Sequence, residues 1–256
     1  MKQKTLFFNP LRIISPELNT EALRLEDLHN STVSETVFVR EGLLVMSSKI
    51  IEMIQLLSKC AVSGARRQMD ACASLAKEVQ QQEKTLTADL FHSKLMPVLV
   101  KSLIKLPYRM ARIGDMLEAI LTCCRIKAQD GIPFSDRAHA ELDQLFAFLF
   151  EMMINLRDAL ERPNNILLEH VISQSEKLGQ MFLDFRLDHW ERLAAGFCSL
   201  VASSVYLRML DSMMAVNECL KKMSVTLLEL GTTSSTEAFD VSENGNRDWE
   251  FIEESW

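Results

Sequence analysis

Carboxylates are the first residues in this chain whose types and spacing could do chemistry. Asp115 and Glu118 lie in a stretch near the middle of the chain, from Arg109 to Ile120, which is otherwise mostly apolar. At about 100° per residue both side chains project away from the apolar side of a helix, beside Ala111. We therefore expect these two carboxylates on a solvent-exposed outer face.

Histidines and cysteines offer less. The five histidines form no pair at metal-ligand spacing, and no Gly-rich phosphate loop, Ser elbow or Cys-His signature is present. Asp188-His189 could suggest a polarised base, but we interpret His189 as a helix-end residue with a structural hydrogen bond. The six cysteines contain no CxxC pair, so they read as small buried apolar residues in a reducing compartment. The sequence therefore predicts no enzyme active site.

The stretch around Asp115 belongs to a long amphipathic helix. Its apolar residues recur at alternating steps of four and three, which is how a helix presents one continuous stripe, here called the seam, to neighbouring helices. The seam residues are Leu99, Leu103, Leu106, Met110, Ile113, Leu117, Ile120 and Cys124.

The same seam recurs 103 positions later. Seven residues from Leu103 to Cys124 have seam counterparts from Tyr206 to Leu227, and an earlier and a later helix keep the same offset, pairing Met46 with Leu149 and Leu57 with Leu160. By the same offset Asp115 corresponds to Glu218 and Ala111 to Met214. The sequence therefore predicts two tandem copies of a three-helix unit.

Helix-breaking residues indicate where the predicted segments of the chain begin and end. We predict a non-helical N-terminal segment over residues 1–35, with only a short helix near Pro16, a first three-helix repeat over residues 36–130, a second over residues 131–230, and an acidic tail over residues 231–256. The cluster Asp130-Gly131-Ile132-Pro133 separates the repeats. With few glycines and abundant Leu and Met, the predicted class is all-α: two tandem three-helix bundles related by a pseudo-twofold axis.

Charge is distributed unevenly along the 256 residues. The net charge is −7, and residues 236–256 alone carry seven acidic residues and one arginine, a net −6. The helical body is thus nearly neutral, which argues against nucleic acid as a partner because phosphate neutralisation needs a basic stripe. No uncharged apolar run is long enough to span a bilayer, and no secretory signal is present, so we expect a cytoplasmic protein that meets a membrane only through a partner.

The tail alternates acids with large apolar groups, most clearly at Asp248, Trp249, Phe251 and Trp256. Such a pattern cannot build a core but can dock on a basic, apolar groove, so these four residues are candidate partner-binding residues. Two other interpretations stay open: a solubilising terminus, or a terminus that folds back on its own bundle.

The segment Ala111-Arg112-Ile113-Gly114-Asp115, with Glu118 three residues on, resembles the third-helix signature of the PhoU-like family of phosphate-uptake regulators. In the second repeat, His189-Trp190-Glu191-Arg192-Leu193 is similar to that family's His-x-x-Arg-Leu turn. The segment from Asn9 to Leu18 also resembles a connector in sodium/phosphate cotransporters that carry a PhoU-like domain.

The resemblance implies candidate metal ligands. Family members can hold iron, zinc or similar ions through a Glu-x-x-x-Asp pair on each third helix, and here Asp115, Glu118 and Glu218 occupy that region. The sequence departs from the pattern because Ala111 and Met214 stand where the first acid would be. A degenerate metal site is therefore expected at most.

The resemblance implies a regulator or accessory protein of inorganic phosphate transport and phosphate signalling that acts by protein contact. Its expected partners are a phosphate transporter subunit or a sensor histidine kinase, and a homodimer stays open. Two alternatives are a carboxylate-metal enzyme on a helical bundle and a purely structural helical scaffold; the enzyme is disfavoured because the chain has no Glu-x-x-His ligand motif.

Overall fold

A computed structural model describes the backbone of residues 16–236 and the side chains of residues 36–61 and 64–231. The regular elements in this part of the chain are all α-helices. They are α1 (Pro16–Ser63), α2 (Arg66–His92), α3 (Pro97–Leu103), α4 (Lys105–Gln129), α5 (Asp136–Glu161), α6 (Asn165–Ala194) and α7 (Leu200–Thr236).

Local sequence explains where these helices begin and end. Ser135 caps α5 by accepting a hydrogen bond from the backbone N–H of Ala138 at 3.2 Å, and Asn164 caps α6 by accepting from that of Ile166 at 3.0 Å. Pro97 opens α3, where its missing N–H costs little. Gly64 ends α1 with φ of +62°, a left-handed conformation that suits glycine.

The helices pack as two bundles joined side by side. One bundle contains α1, α2 and α4, and the other contains α5, α6 and α7; α1 packs on α5 and α4 packs on α7. Arg109, near the start of α4, contacts Lys222 and Thr226 in the second half of α7, whereas Cys123 near the end of α4 lies close to Arg208 near the start of α7. The third helices of the two repeats are therefore antiparallel, which fits a pseudo-twofold axis perpendicular to them.

The seams form the core of both bundles. From Leu103 to Cys124 all seven seam residues are buried, and six of their seven counterparts are buried too, with Leu227 partly exposed. Met46 and Leu149, and likewise Leu57 and Leu160, are buried at the matching levels of α1 and α5. Burial of these apolar stripes holds the helices together. The predicted all-α class and the tandem three-helix arrangement are confirmed.

Three predicted boundaries differ from the structure. The first helix begins at Pro16, well before residue 36, and α7 continues through Gly231 to Thr236. The predicted single third helix is interrupted at Ile104. Pro107 explains this interruption, because a proline has no N–H to donate to the carbonyl four residues earlier and its ring crowds that carbonyl.

Within residues 16–236, none of the helices combines the length and apolar character that a bilayer crossing requires.

Candidate functional site

The outer face of α4 carries the carboxylate that the sequence singled out. Asp115 is exposed, and its Oδ1 accepts a hydrogen bond from Nε2 of Gln80 on α2. The same amide lies 3.4 Å from the carbonyl oxygen of Ala111. Ala111 was predicted beside Asp115 on the solvent-exposed face, but it is 6% exposed, because α2 covers this side of α4. The outer face is therefore narrower than the sequence indicated.

The other two candidate metal ligands, Glu118 and Glu218, are exposed on α4 and α7. Among the described residues, no group of three or more Asp, Glu, His or Cys side chains could hold a metal ion, so Asp115, Glu118 and Glu218 do not meet in one. The counterpart of Glu118 is Lys221, which pairs with Glu176 at 3.2 Å. The positive charge of Lys221, three residues after Glu218, opposes binding of a metal cation there. The Asp115 carboxylate already accepts a hydrogen bond from the Gln80 amide. The residues present thus do not supply the donor set that iron or zinc needs.

The predicted partner-binding residues Asp248, Trp249, Phe251 and Trp256 lie outside the described residues. So does most of the segment from Asn9 to Leu18.

A buried polar cluster lies near the start of α7, where α5, α6 and α7 meet. Its centre is Glu141 on α5, only 4% exposed. Arg192 donates to both carboxylate oxygens at 2.8 and 2.9 Å, Tyr206 donates its hydroxyl at 2.5 Å, and Arg137 donates Nε at 3.1 Å. Four donors compensate the burial of one carboxylate, which ties the three helices of the second bundle together.

His189 lies against this cluster. Its ring stacks on Tyr206 with centroids 4.6 Å apart, and it is 3% exposed. In the described part of the chain neither ring nitrogen has a hydrogen-bond partner, so the predicted structural hydrogen bond is wrong. Asp188 pairs with Arg137, which removes it as a partner that could polarise the histidine. Burial and then the charge of Arg192 lower the pKa of His189, which favours the neutral imidazole.

Beside His189 an open cavity of about 280 Å³ lies between the starts of α5 and α7. Phe134, Ser135, Cys198 and Ser199 contribute to its walls. Both serines are already engaged, each accepting a backbone N–H of the helix that it precedes. The walls of the cavity are mostly apolar, and no described serine or cysteine side chain is hydrogen-bonded to His189.

The sequence contained a signal for this cluster. Glu141 stands three residues after Ala138 and four before Leu145, both buried, so it occupies a core position of α5. An acid at such a position needs donors from other helices. Its partners Arg192 and Tyr206 are 51 and 65 residues away, and their identity needed the fold.

The six cysteines, which the sequence predicted to be buried, are all free thiols. Cys60, Cys72, Cys123 and Cys124 are buried, while Cys198 and Cys219 are partly exposed. Burial raises the pKa of Cys72 and of Cys124 to about 12, which keeps both as unreactive thiols at neutral pH.

No family model and no curated protein matches this sequence. Solved structures do match. PhoU from Pseudomonas aeruginosa superposes with a TM-score of 0.72 at 14% identity, covering 78% of this chain and 98% of that one. The phosphate transport system regulatory protein PhoU from Streptococcus pneumoniae gives 0.68 at 12% identity, covering 79% and 97%. A PhoU-like protein from Shewanella oneidensis gives 0.56 at 10% identity, covering 77% and 99%.

The chain has the PhoU fold. The resemblance carried by Arg112 to Asp115 and by the segment from His189 to Leu193 is thus confirmed in the architecture. In this PhoU fold Arg112 and Asp115 lie on the outer face of α4, while Ile113 between them is a buried seam residue. The second segment ends α6 beside the cluster of Glu141.

Proposed function

We propose that this chain regulates phosphate transport and phosphate signalling by protein contact, with a phosphate transporter subunit or a sensor histidine kinase as its partner. The observation that carries the proposal is the superposition on two PhoU proteins over nearly their whole length, one of which is named a phosphate transport system regulatory protein. No reaction is part of the proposal.

The candidate contact surface is the outer face of α4 together with the matching face of α7. Asp115, Arg112, Glu118 and Glu218 are exposed there. Gln80 fixes the Asp115 carboxylate from α2, so part of this surface is pre-organised before a partner arrives. Charged groups in such a position steer association and select among partners rather than supply most of the affinity.

The test is a complementation experiment. A strain lacking this protein should show altered uptake of radiolabelled phosphate, and the wild-type chain should restore it. The double substitution Asp115→Lys with Glu218→Lys should fail to restore uptake and should lose a transporter subunit or kinase in affinity capture. Asp143→Lys, at an exposed position of α5, is the matched control and should behave as wild type.

Two results would overturn the proposal. One is unchanged phosphate uptake and unchanged phosphate-starvation expression after deletion. The other is full complementation by the double variant when its far-UV circular dichroism shows an intact fold, which would exclude this surface.

A further inference from the structure

Similar groups of exposed apolar residues lie at the two ends of the α4–α7 helix pair. At and just after the turn from α2 to α3, the exposed apolar residues are Phe91, Met96, Val98 and, in the first turn of α4, Tyr108, with exposed fractions between 59% and 79%. At the turn from α6 to α7, the exposed apolar residues are Leu187, Trp190, Phe197, Leu200 and Val201. Val98 and Val201 are separated by the repeat offset of 103. Because α4 and α7 are antiparallel, the two groups lie at opposite ends of this helix pair.

The charges at these ends differ. Residues 90–114 contain five lysines and arginines and no acid, and the nearest acids along the chain are Asp89 and Asp115. Residues 186–217 contain three arginines and three acids. Lys94, Lys101 and Lys105 are exposed and make no ion pair with any described side chain. The α2–α3 end, here called the basic tip, therefore combines exposed apolar groups with three exposed lysines.

The last described residues of α7 lie at this same end. Arg109 donates to the carbonyl of Lys222 and to the hydroxyl of Thr226, both at 2.6 Å. From Thr226 the helix runs ten further residues to Thr236, about 15 Å, while Pro97 lies twelve residues before Arg109, about 18 Å in the same direction. The end of α7 is thus nearly level with the start of α3.

We propose that residues 237–256 dock on the basic tip of their own chain. This segment carries a net charge of −6 and the large apolar residues Trp249, Phe251 and Trp256, which complement the lysines and the exposed apolar groups of the tip. The twelve residues from Thr236 to Asp248 reach about 40 Å when extended, more than the tip requires. The α6–α7 end fits less well, since its charges cancel and the whole length of α7 separates it from the tail.

The chain has three tryptophans, at positions 190, 249 and 256. In full-length Trp190→Phe protein the fluorescence therefore reports only on the tail. If the tail docks, emission lies blue of the urea-unfolded chain and acrylamide quenches it weakly. Val98→Asp should move both quantities toward their unfolded values, and Val201→Asp, the matched substitution at the other end, should leave them unchanged.

Replacing Lys94, Lys101 and Lys105 together by Glu should release the tail as Val98→Asp does, and added salt should weaken docking in the parent protein. Zero-length carbodiimide cross-linking of a mixture of ¹⁴N- and ¹⁵N-labelled protein identifies the occupant. Cross-links from these lysines to Glu250, Glu253 or Glu254 within one isotopic species support the proposal.

Other outcomes overturn it. Cross-links that mix isotopes place the tail on a second copy, and cross-links to residues 1–35 without any to the tail give the tip a different occupant. Tail fluorescence equal to that of the unfolded chain, or equal responses to Val98→Asp and Val201→Asp, excludes docking on the basic tip. Far-UV circular dichroism checks that each variant is folded.

Discussion

Glu141→Gln tests the role of the buried carboxylate in the second bundle. The substitution keeps the size of the side chain but replaces a charged oxygen by an NH₂ group facing N–H and O–H donors. Arg192 then keeps a positive charge on a side chain that is only 14% exposed. Removing one partner of a buried charge pair costs about 3–5 kcal/mol because the other charge is left uncompensated. For a chain of this size such a loss lowers Tm by about 6–20 °C.

The assay is thermal and urea unfolding followed by circular dichroism at 222 nm. Glu151→Gln, on the same helix with a side chain that is 59% exposed, is the matched control and should change stability by less than about 0.5 kcal/mol. Tyr206→Phe alone should destabilise the protein, since its hydroxyl donates to Glu141 at 2.5 Å. Added to Glu141→Gln it should cost much less, because the charged acceptor of that hydroxyl is already gone.

A loss below about 1 kcal/mol for Glu141→Gln would refute this reasoning, since that is the net worth of one ordinary hydrogen bond. Strictly additive effects of the two substitutions would refute it as well, because the cluster then would not act as a unit.

Three further predictions concern packing, pH and thiol reactivity. Gly42→Ala should lower the free energy of unfolding in urea by about 1–3 kcal/mol, because a Cβ there would lie 2.9 Å from two side-chain carbons of Leu86. Gly179→Ala, where a Cβ meets nothing within 4 Å, is the control and should stabilise α6 by up to about 1 kcal/mol. Since the pKa of His189 is lower in the folded chain, the unfolded chain binds more protons as pH falls below about 6.5, so stability should drop there. His189→Phe should reduce this slope but not abolish it, because burial also lowers the pKa of His139. An unchanged slope would assign it to other groups. Iodoacetamide at pH 8 should modify Cys198 before the four buried cysteines, as peptide mass spectrometry would show; equal labelling would contradict their burial.

Most of the fold could be predicted from the sequence because its main signal is periodic. The seam from Leu103 to Cys124 and its copy 103 residues later fix which faces are buried, and burial of those faces defines both bundles. The sequence predicted one continuous third helix and missed its interruption at Ile104, although Pro107 is a signal for such a break. The early start of α1 could not be found in the same way, because the residues from Pro16 onward lack a sustained stripe.

The outer face and the buried cluster were predicted unequally well. Asp115 was correctly placed at the surface by helical geometry alone. Ala111 was not, because its burial depends on how closely α2 approaches α4, and seam periodicity does not report that approach. For His189, hydrogen bonding is decided by the partners that three helices bring together, so a reading of its neighbours in sequence gave the wrong answer.

The antiparallel packing of α4 and α7 also has a mechanical consequence. It places the basic tip and the α6–α7 end at opposite ends of the same helix pair. The 37 residues of α7 alone span about 55 Å. A partner bound at the α6–α7 end would be held at that fixed distance from the occupant of the basic tip, so neither would compete with the other for space. Their separation would be set by the number of residues in one helix and would change only if that helix were lengthened or shortened.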